Sequence, residues 1–315
     1  IIKSKNILDL INKIKLILYM KTGLILKKLK KKKRKILKKE YSTEIAFKDG
    51  FTVLFTAVGK SKNKISWLHT DYEIYDCTKN YRKIFTKVYK KYINKIVSIT
   101  KEVENQFNKI YNCQEKSQVI ENLIDDNEIL KLSEKENPYD KNKINFVCVG
   151  RTVKVKGYDR LLKQILKLKE NGILNDEIFN IVGDGEEYKN LQEYVEKVGL
   201  NNNVKLLGYK ENPYPYIKYA DMLLLVSYYE GLGLVLYEAL CLKVPCFATK
   251  ISEIDKTLNN GEYGMIVENS EQGIYNGLEK IIKDKKILYD LKDNANKYMY
   301  TKKYDILKEI NAILV

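Results

Sequence analysis

Residues 222–245 read M-L-L-L-V-S-Y-Y-E-G-L-G-L-V-L-Y-E-A-L-C-L-K-V-P. The apolar run 222–226 has the length and composition of a buried parallel strand. Gly231 and Gly233 then interrupt it. From Leu234 the apolar spacing becomes helical, and Lys243-Val244-Pro245 ends the segment. The order is therefore strand, glycine turn, helix. A helix that opens on a glycine turn points unpaired N–H groups and a positive dipole end at that turn, which suits a phosphate. Glu230 stands just before the turn and Glu238 one helical turn inside the helix, with seven residues between them. Carboxylates accept hydrogen bonds from pairs of hydroxyls, so one can face the sugar end of a bound group and the other its nucleoside end.

Length and composition bound the alternatives. A chain of 315 residues is expected to form two domains, each with its own core. No unbroken apolar run reaches membrane-spanning length, because Lys13, Lys15 and Lys21 interrupt the run 7–26. No apolar stretch is followed by a small-residue cleavage site. The cysteines 77, 113, 148, 241 and 246 are odd in number, scattered and without metal-ligand spacing, so buried free thiols in a reducing cytoplasm are expected. The net charge of +16 is unevenly placed. Residues 1–40 hold 15 Lys or Arg against 2 Asp or Glu, hence +13, and the remaining 275 residues carry +3. Of the 16 glycines, 13 lie at or beyond Gly150, so close ligand approach is sought in the second half.

The E-x7-E spacing within E-G-L-G-L-V-L-Y-E-A-L, closed by V-P, resembles the donor-site motif of the family-4 retaining glycosyltransferases of the GT-B fold. Further matches extend the resemblance from about Tyr41 to the C-terminus. After a strand at 144–149, Gly150-Arg151 and Lys156-Gly157 form the family's G-R-x4-K-G pattern. The resemblance assigns both cations to the donor's diphosphate. The chemistry agrees: as a sugar leaves a nucleotide, negative charge grows on the diphosphate oxygens, and fixed cations stabilise it. A planar guanidinium and a compact ammonium do so differently. A strand at 177–182 ends in G-D-G, Gly183 to Gly185, whose glycines would let backbone approach the ligand. After a strand at 204–208, Tyr209-Lys210 matches the place where the family's backbone meets the base. Strand and helix alternate onward through 245–249 and 264–267, as in a doubly wound parallel sheet.

The first half is less informative. Residues 5–20 have apolar positions at helical spacing (Leu8, Ile11, Ile14 or Lys15, Leu18). The dense basic run that follows reads as a solvated helix face or a disordered arm, with attachment to anionic lipid as the functional alternative. Nucleic acid is disfavoured: no aromatic residue interrupts the run and no nucleic-acid motif appears. Strands are expected at 44–47, 64–69 and 95–99, and residues 51–58 are ambiguous between strand and helix. Thr100 can cap the helix after it. His69 is the single histidine and follows a strand; the resemblance places such a histidine near the reacting sugar. Asp71 is a weaker companion or a cap. Residues 118–125 resemble the family's strand and N-x-I-D turn, which closes the first domain. Residues 133–143 lack periodicity and hold Pro138, so they read as a linker. The family opens with a strand and glycine-rich loop that is not found ahead of Tyr41, which is expected of a sequence lacking its true N-terminus.

The expectation is an α/β chain of GT-B type: two Rossmann-like doubly wound domains facing a cleft, the first incomplete. The expected division is 1–137 (with the basic segment 1–40), 138–300, and a helix 301–315 crossing back. The resemblance implies a bacterial glycan, capsule or lipopolysaccharide type of enzyme. It would move a hexose-type sugar from a UDP-sugar to a hydroxyl of a glycan or lipid-linked glycan. The catalytic candidates are His69, Glu230, Arg151 and Lys156. The donor-binding set adds Gly183, Gly185, Tyr209, Gly231, Leu232, Gly233, Leu234, Val235 and Glu238. No D-x-D triplet occurs, so no metal is expected. The expected location is cytoplasmic, with peripheral contact to an anionic inner membrane face and no nucleic-acid partner. A non-catalytic nucleotide-sugar-binding or scaffold protein is the rival reading.

Overall fold

The computed structural model describes residues 4–70, 72, 76, 78–251 and 253–314, with side chains from Leu10 onward. Asp71, Cys77 and the Leu8 side chain lie outside the described residues. The chain divides into two units, Ile1–Asn122 with Tyr304–Val315, and Leu123–Lys303.

The first unit is built on four parallel strands in chain order: β1 (Thr43–Ala46), β2 (Asn63–Leu68), β3 (Lys95–Ser98) and β4 (Ser117–Val119). Helices Phe51–Ala57, Arg82–Tyr92 and Lys101–Tyr111 are the crossovers. The ambiguous stretch 51–58 is thus a helix, as a crossover between two parallel strands requires. Thr100 caps the third crossover by accepting from the Val103 N–H at 3.2 Å. Tyr89, Phe107 and Tyr111 pack ring on ring in the core. The basic run is ordered as helix Leu24–Ile36, which buries Ile25, Leu29 and Lys33 at four-residue spacing. Lys33 is paired with Glu44 and donates to the Phe55 carbonyl at 2.7 Å. One lysine of the run is therefore a core residue with its charge matched.

The second unit holds six parallel strands: β5 (Asn145–Val149), β6 (Ile178–Val182), β7 (Val204–Gly208), β8 (Met222–Leu225), β9 (Cys246–Thr249) and β10 (Gly264–Val267). Their order is β10-β9-β8-β5-β6-β7. Winding proceeds outward from β5 through β6 and β7, then returns to β8 on the other side of β5 and continues outward. Phe146, Phe179, Leu161, Ile165 and Leu278 belong to one buried cluster between sheet and helices. Cys148, Cys241 and Cys246 are free and buried here, and Cys113 in the first unit. Burial pushes the Cys241 thiol up to about 12. Among the described residues no helix is long and apolar enough to cross a membrane.

The boundary lies about one short helix earlier than the expected 137/138. Helix Asp126–Ser133, capped by the Asp125 side chain, belongs to the second unit. It packs against helices Tyr214–Lys218 and Leu234–Cys241. Asn212 Nδ2 donates to the Leu132 carbonyl at 2.7 Å, and Ile129 is buried. The stretch 134–143 is irregular but tied down, since Tyr219 and Tyr139 hydroxyls donate to the Lys135 and Tyr216 carbonyls. Missing periodicity marks irregular backbone and does not show whether that backbone is bonded. At the other end, helix Lys303–Leu314 falls with the first unit from Tyr304 onward, and Asn63 and Thr43 side chains donate to the Ile313 and Leu314 carbonyls.

A candidate donor site where the second sheet reverses

In an open parallel sheet, ligands bind beyond the carboxyl ends of the strands where the winding reverses. Here that point lies between β5 and β8. The segment after β5 carries Gly150, Arg151 and Lys156, and the segment after β8 carries Ser227 and Glu230. Backbone bonds stitch the strand exits together. Gly150 N donates to Val182 O at 3.0 Å, Thr152 N to Asp184 O at 3.0 Å, and Tyr228 N to Val155 O at 2.8 Å. Gly183 is required for this closeness: a Cβ there would overlap the Gly150 carbonyl. Gly185 likewise lies against the Thr152 backbone.

Two of the candidates meet directly. Lys156 Nζ lies 2.6 Å from Glu230 Oε1, across 74 residues of sequence. Ser227 Oγ donates to the same oxygen at 2.6 Å. The two charged side chains are 19% and 15% exposed, so the pair is partly desolvated yet reachable. Gly231 to Gly233 form the turn, with Gly233 left-handed at φ 64°, and helix Leu234–Cys241 starts there with no side-chain cap. Among the described residues no side chain accepts from its first N–H groups, at Leu234 and Val235.

The other candidates are not in that contact. Arg151 is exposed, and its guanidinium makes no hydrogen bond or ion pair with a described residue. Tyr209 is 73% exposed. The Glu238 carboxylate has no hydrogen-bond partner among the described residues, and burial raises its pKa above the usual glutamate range. A carboxylate that is costly to bury and lacks a donor is suited to a ligand that brings donors.

His69 belongs to the first unit. Its ring leans on Phe47 with centroids 4.7 Å apart, and Nδ1 is buried with no hydrogen-bond partner among the described residues. Burial lowers its pKa, with the charge of Asp49 opposing, so the imidazole is neutral at neutral pH.

Two organising residues escaped the sequence reading. Asp49 accepts from the His69 backbone N–H at 3.0 Å, the Thr70 hydroxyl at 2.8 Å and the Tyr72 hydroxyl at 2.7 Å, so it fixes the turn that holds His69. In sequence it is only the first residue of a D-G turn. Arg160 is 2% exposed. It donates to the Val226 carbonyl at 3.0 and 2.6 Å, to the Ser227 carbonyl at 2.8 Å and to Asn269 Oδ1 at 2.7 Å. Its guanidinium also lies over the Tyr228 ring at 4.1 Å. Arg160 thereby holds the exit of β8 and, through it, the approach to Glu230. It sits beside the apolar stripe of Tyr158, Leu161, Leu162, Ile165 and Leu168, where a charged residue ordinarily faces solvent, so nothing in the pattern singles it out.

Two parallel-sheet units with this reversal define a chain of the GT-B fold, and the solved structures agree. HepE of Anabaena, in complex with UDP and glucose, superposes with a TM-score of 0.71 at 19% identity, covering 87% of this chain and 77% of that one. The sequence profile described as glycosyl transferases group 1 matches residues 131–298, and the chain belongs to that family. An uncharacterised glycosyltransferase of Methanocaldococcus jannaschii is 29% identical over 240 residues, 67% of this chain and 58% of its own. The UDP-Gal:alpha-D-GlcNAc-diphosphoundecaprenol alpha-1,3-galactosyltransferase of Escherichia coli is 28% identical over 184 residues, 58% of this chain and 47% of its own. The chain thus spans about half the length of these relatives.

Proposed function

We propose that this chain carries a retaining, metal-independent hexosyltransferase activity that moves a sugar from UDP-sugar to a hydroxyl of a glycan or lipid-linked glycan. The observation that carries the reading is the Lys156–Glu230 contact at the sheet reversal, beside the uncapped start of helix Leu234–Cys241. Support for the donor and acceptor classes comes from the similarity to the E. coli galactosyltransferase, whose name specifies UDP-Gal and a diphosphoundecaprenol-linked acceptor. The fold likeness to HepE, solved with UDP and glucose, agrees.

In this reading the donor replaces an internal ion pair by hydrogen bonds to Glu230 and an ion pair to Lys156. Sugar hydroxyls donate to Glu230, which releases Lys156 to the diphosphate. Arg151 and the N–H groups at Gly233 to Val235 complete the anion site, and backbone at Gly183, Gly185 and Tyr209 lines the ligand. Glu238 accepts from the ribose hydroxyls. As the bond from the anomeric carbon to the diphosphate oxygen lengthens, charge grows where the cations and helix end already point. Each such interaction lowers the barrier by about 3 kcal/mol. The acceptor hydroxyl attacks from the face the diphosphate leaves, and a diphosphate oxygen takes its proton, so no enzymic nucleophile is needed. His69, held neutral, is assigned to the reacting sugar as a hydrogen-bonding group.

The test is turnover of UDP-sugar, as hydrolysis or as transfer to a saccharide acceptor, with and without EDTA. Product with retained anomeric configuration at an unchanged rate in EDTA is expected. Loss of turnover in EDTA, or an inverted product, contradicts the reading. Binding without any turnover favours the scaffold alternative.

Glu238 gives a second prediction, with effects of opposite sign. Its folded pKa is raised, so the folded state binds a proton more readily than the unfolded chain. Its ionised burial therefore costs stability that is regained as pH falls through the raised value toward the ordinary glutamate range. Glu238→Gln is expected to raise the melting temperature of the empty protein at pH 7–8, with the gain shrinking at acid pH. The same change removes a charged acceptor worth about 1.5–3 kcal/mol, so UDP affinity should fall roughly 10- to 100-fold. Calorimetry and titration of the one variant check both.

A further inference from the structure

The helix Ser4–Thr22 exposes an apolar face that the fold does not use. Leu10, Ile11, Ile14, Ile17 and Leu18 are each more than 40% exposed. Their spacing places them on one stripe roughly 120° wide. The helix is held to the first unit on another side, where Met20 is 5% exposed. Lys13 and Lys15 are exposed at its two edges, and Lys21 is exposed where the stripe ends, one turn beyond Ile17 and Leu18. The next helix, Leu24–Ile36, turns Ile25, Leu29 and Lys33 inward and leaves Lys27, Lys28, Lys30, Lys31, Lys32 and Arg34 exposed. Among the described residues none of these six is in an ion pair. Lys28 Nζ lies 4.7 Å from the Tyr19 ring centroid, which links the two helices.

We propose that these two helices seat the protein on an anionic bilayer surface, with the Leu/Ile stripe entering the acyl boundary and the exposed cations engaging lipid phosphates. Charge selects the occupant. Residues 1–40 carry +13, which favours a negatively charged surface, and the exposed cations of helix Leu24–Ile36 follow the apolar stripe directly in the chain. The exposed stripe of helix Ser4–Thr22 is aliphatic, which suits lipid chains; bases of nucleic acid would call for aromatic platforms. A helix of 19 residues lying flat spans about 28 Å, and an amphipathic helix with cations beside its apolar face lies in the interfacial plane. The inference stands apart from the donor site, since it uses none of its residues.

The test is sedimentation of the full chain with phosphatidylcholine vesicles, and with vesicles in which about a third of the lipid is phosphatidylglycerol. Partitioning at least tenfold stronger onto the anionic vesicles is expected from several surface cations acting together. Two variants separate the parts. Lys30→Glu/Lys31→Glu/Lys32→Glu should lose at least tenfold in partitioning. Ile14→Ser/Leu18→Ser should lose a comparable amount at unchanged melting temperature, since both residues are exposed. Equal binding to neutral and anionic vesicles, or none, overturns the proposal. So does a serine variant that binds like wild type, since charge alone would then explain attachment. A concentration-dependent dimer that the serine change dissociates assigns the stripe to a second copy. Displacement from vesicles by duplex DNA of equal charge assigns the cations to nucleic acid.

Discussion

Lys156→Ala is expected to lower kcat for UDP-sugar roughly 100-fold while moving the melting temperature by no more than a few degrees. The reason lies in what the lysine does in each state. In the empty protein it neutralises Glu230 at 2.6 Å, in a site only partly withdrawn from water. Such a pair stabilises the fold little, because desolvation offsets most of its Coulomb energy. In the proposed transition state the same ammonium faces a leaving diphosphate, where its charge has most effect. Glu230→Ala is expected to be as damaging, with a larger rise in KM, since it removes the acceptor for the sugar hydroxyls. The double variant should lose much less than the product of the two single losses, because each residue acts through the other. Initial rates across a donor titration, with melting curves for each variant, check this. Full activity in Lys156→Ala would remove the cation from the mechanism.

The largest expected effect on stability comes from Gly157→Ala. Gly157 has φ 68°, and a Cβ there would overlap the Val226 carbonyl and lie 2.8 Å from Arg160 Nε. The left-handed backbone alone costs alanine about 1 kcal/mol. The overlap adds to this, because the carbonyl and guanidinium are bonded to each other and neither can yield freely. A total of about 3–5 kcal/mol is expected, roughly 10 °C in the melting of the second unit. Gly172 and Gly199 supply the controls. Both have φ 69° with nothing within 4 Å of an added Cβ, so alanine there should cost only the backbone term. The difference between Gly157→Ala and these two isolates the packing of β5's exit loop against β8's. Donor binding should fall with it, since Val226 leads into the Glu230 loop.

How much of this was readable beforehand depended on the kind of signal. The second sheet was legible because each strand is a short apolar run ending in glycine or a turn, as at Val149-Gly150 and Val182-Gly183. Parallel strands buried on both faces write themselves that way. The Lys156–Glu230 meeting follows from strand order, which a motif spacing does not contain, although both residues stood out by motif. Arg160 left no trace because its partners are mostly backbone carbonyls, which every residue has, and Asp49 left none because its partners lie about 20 residues away in the chain. The boundary at Asn122 was missed because helix Asp126–Ser133 is short, and its attachment to Asn212 and the helix Leu234–Cys241 spans 80 or more residues. In the basic run, Lys33 looked like its neighbours. Only the fold shows that it points inward to Glu44.

The most direct measurement is a thermal-shift titration of the chain with UDP-sugars, other nucleotide sugars and free sugars, repeated on Lys156→Ala and Glu230→Ala. A UDP-sugar is expected to raise the melting temperature of the unaltered chain, with the rise growing with concentration. Free sugars should do nothing, and each variant should lose most of the shift. No rise with any nucleotide sugar, or an undiminished rise in both variants, would contradict the placement of the donor between the β5 and β8 exits.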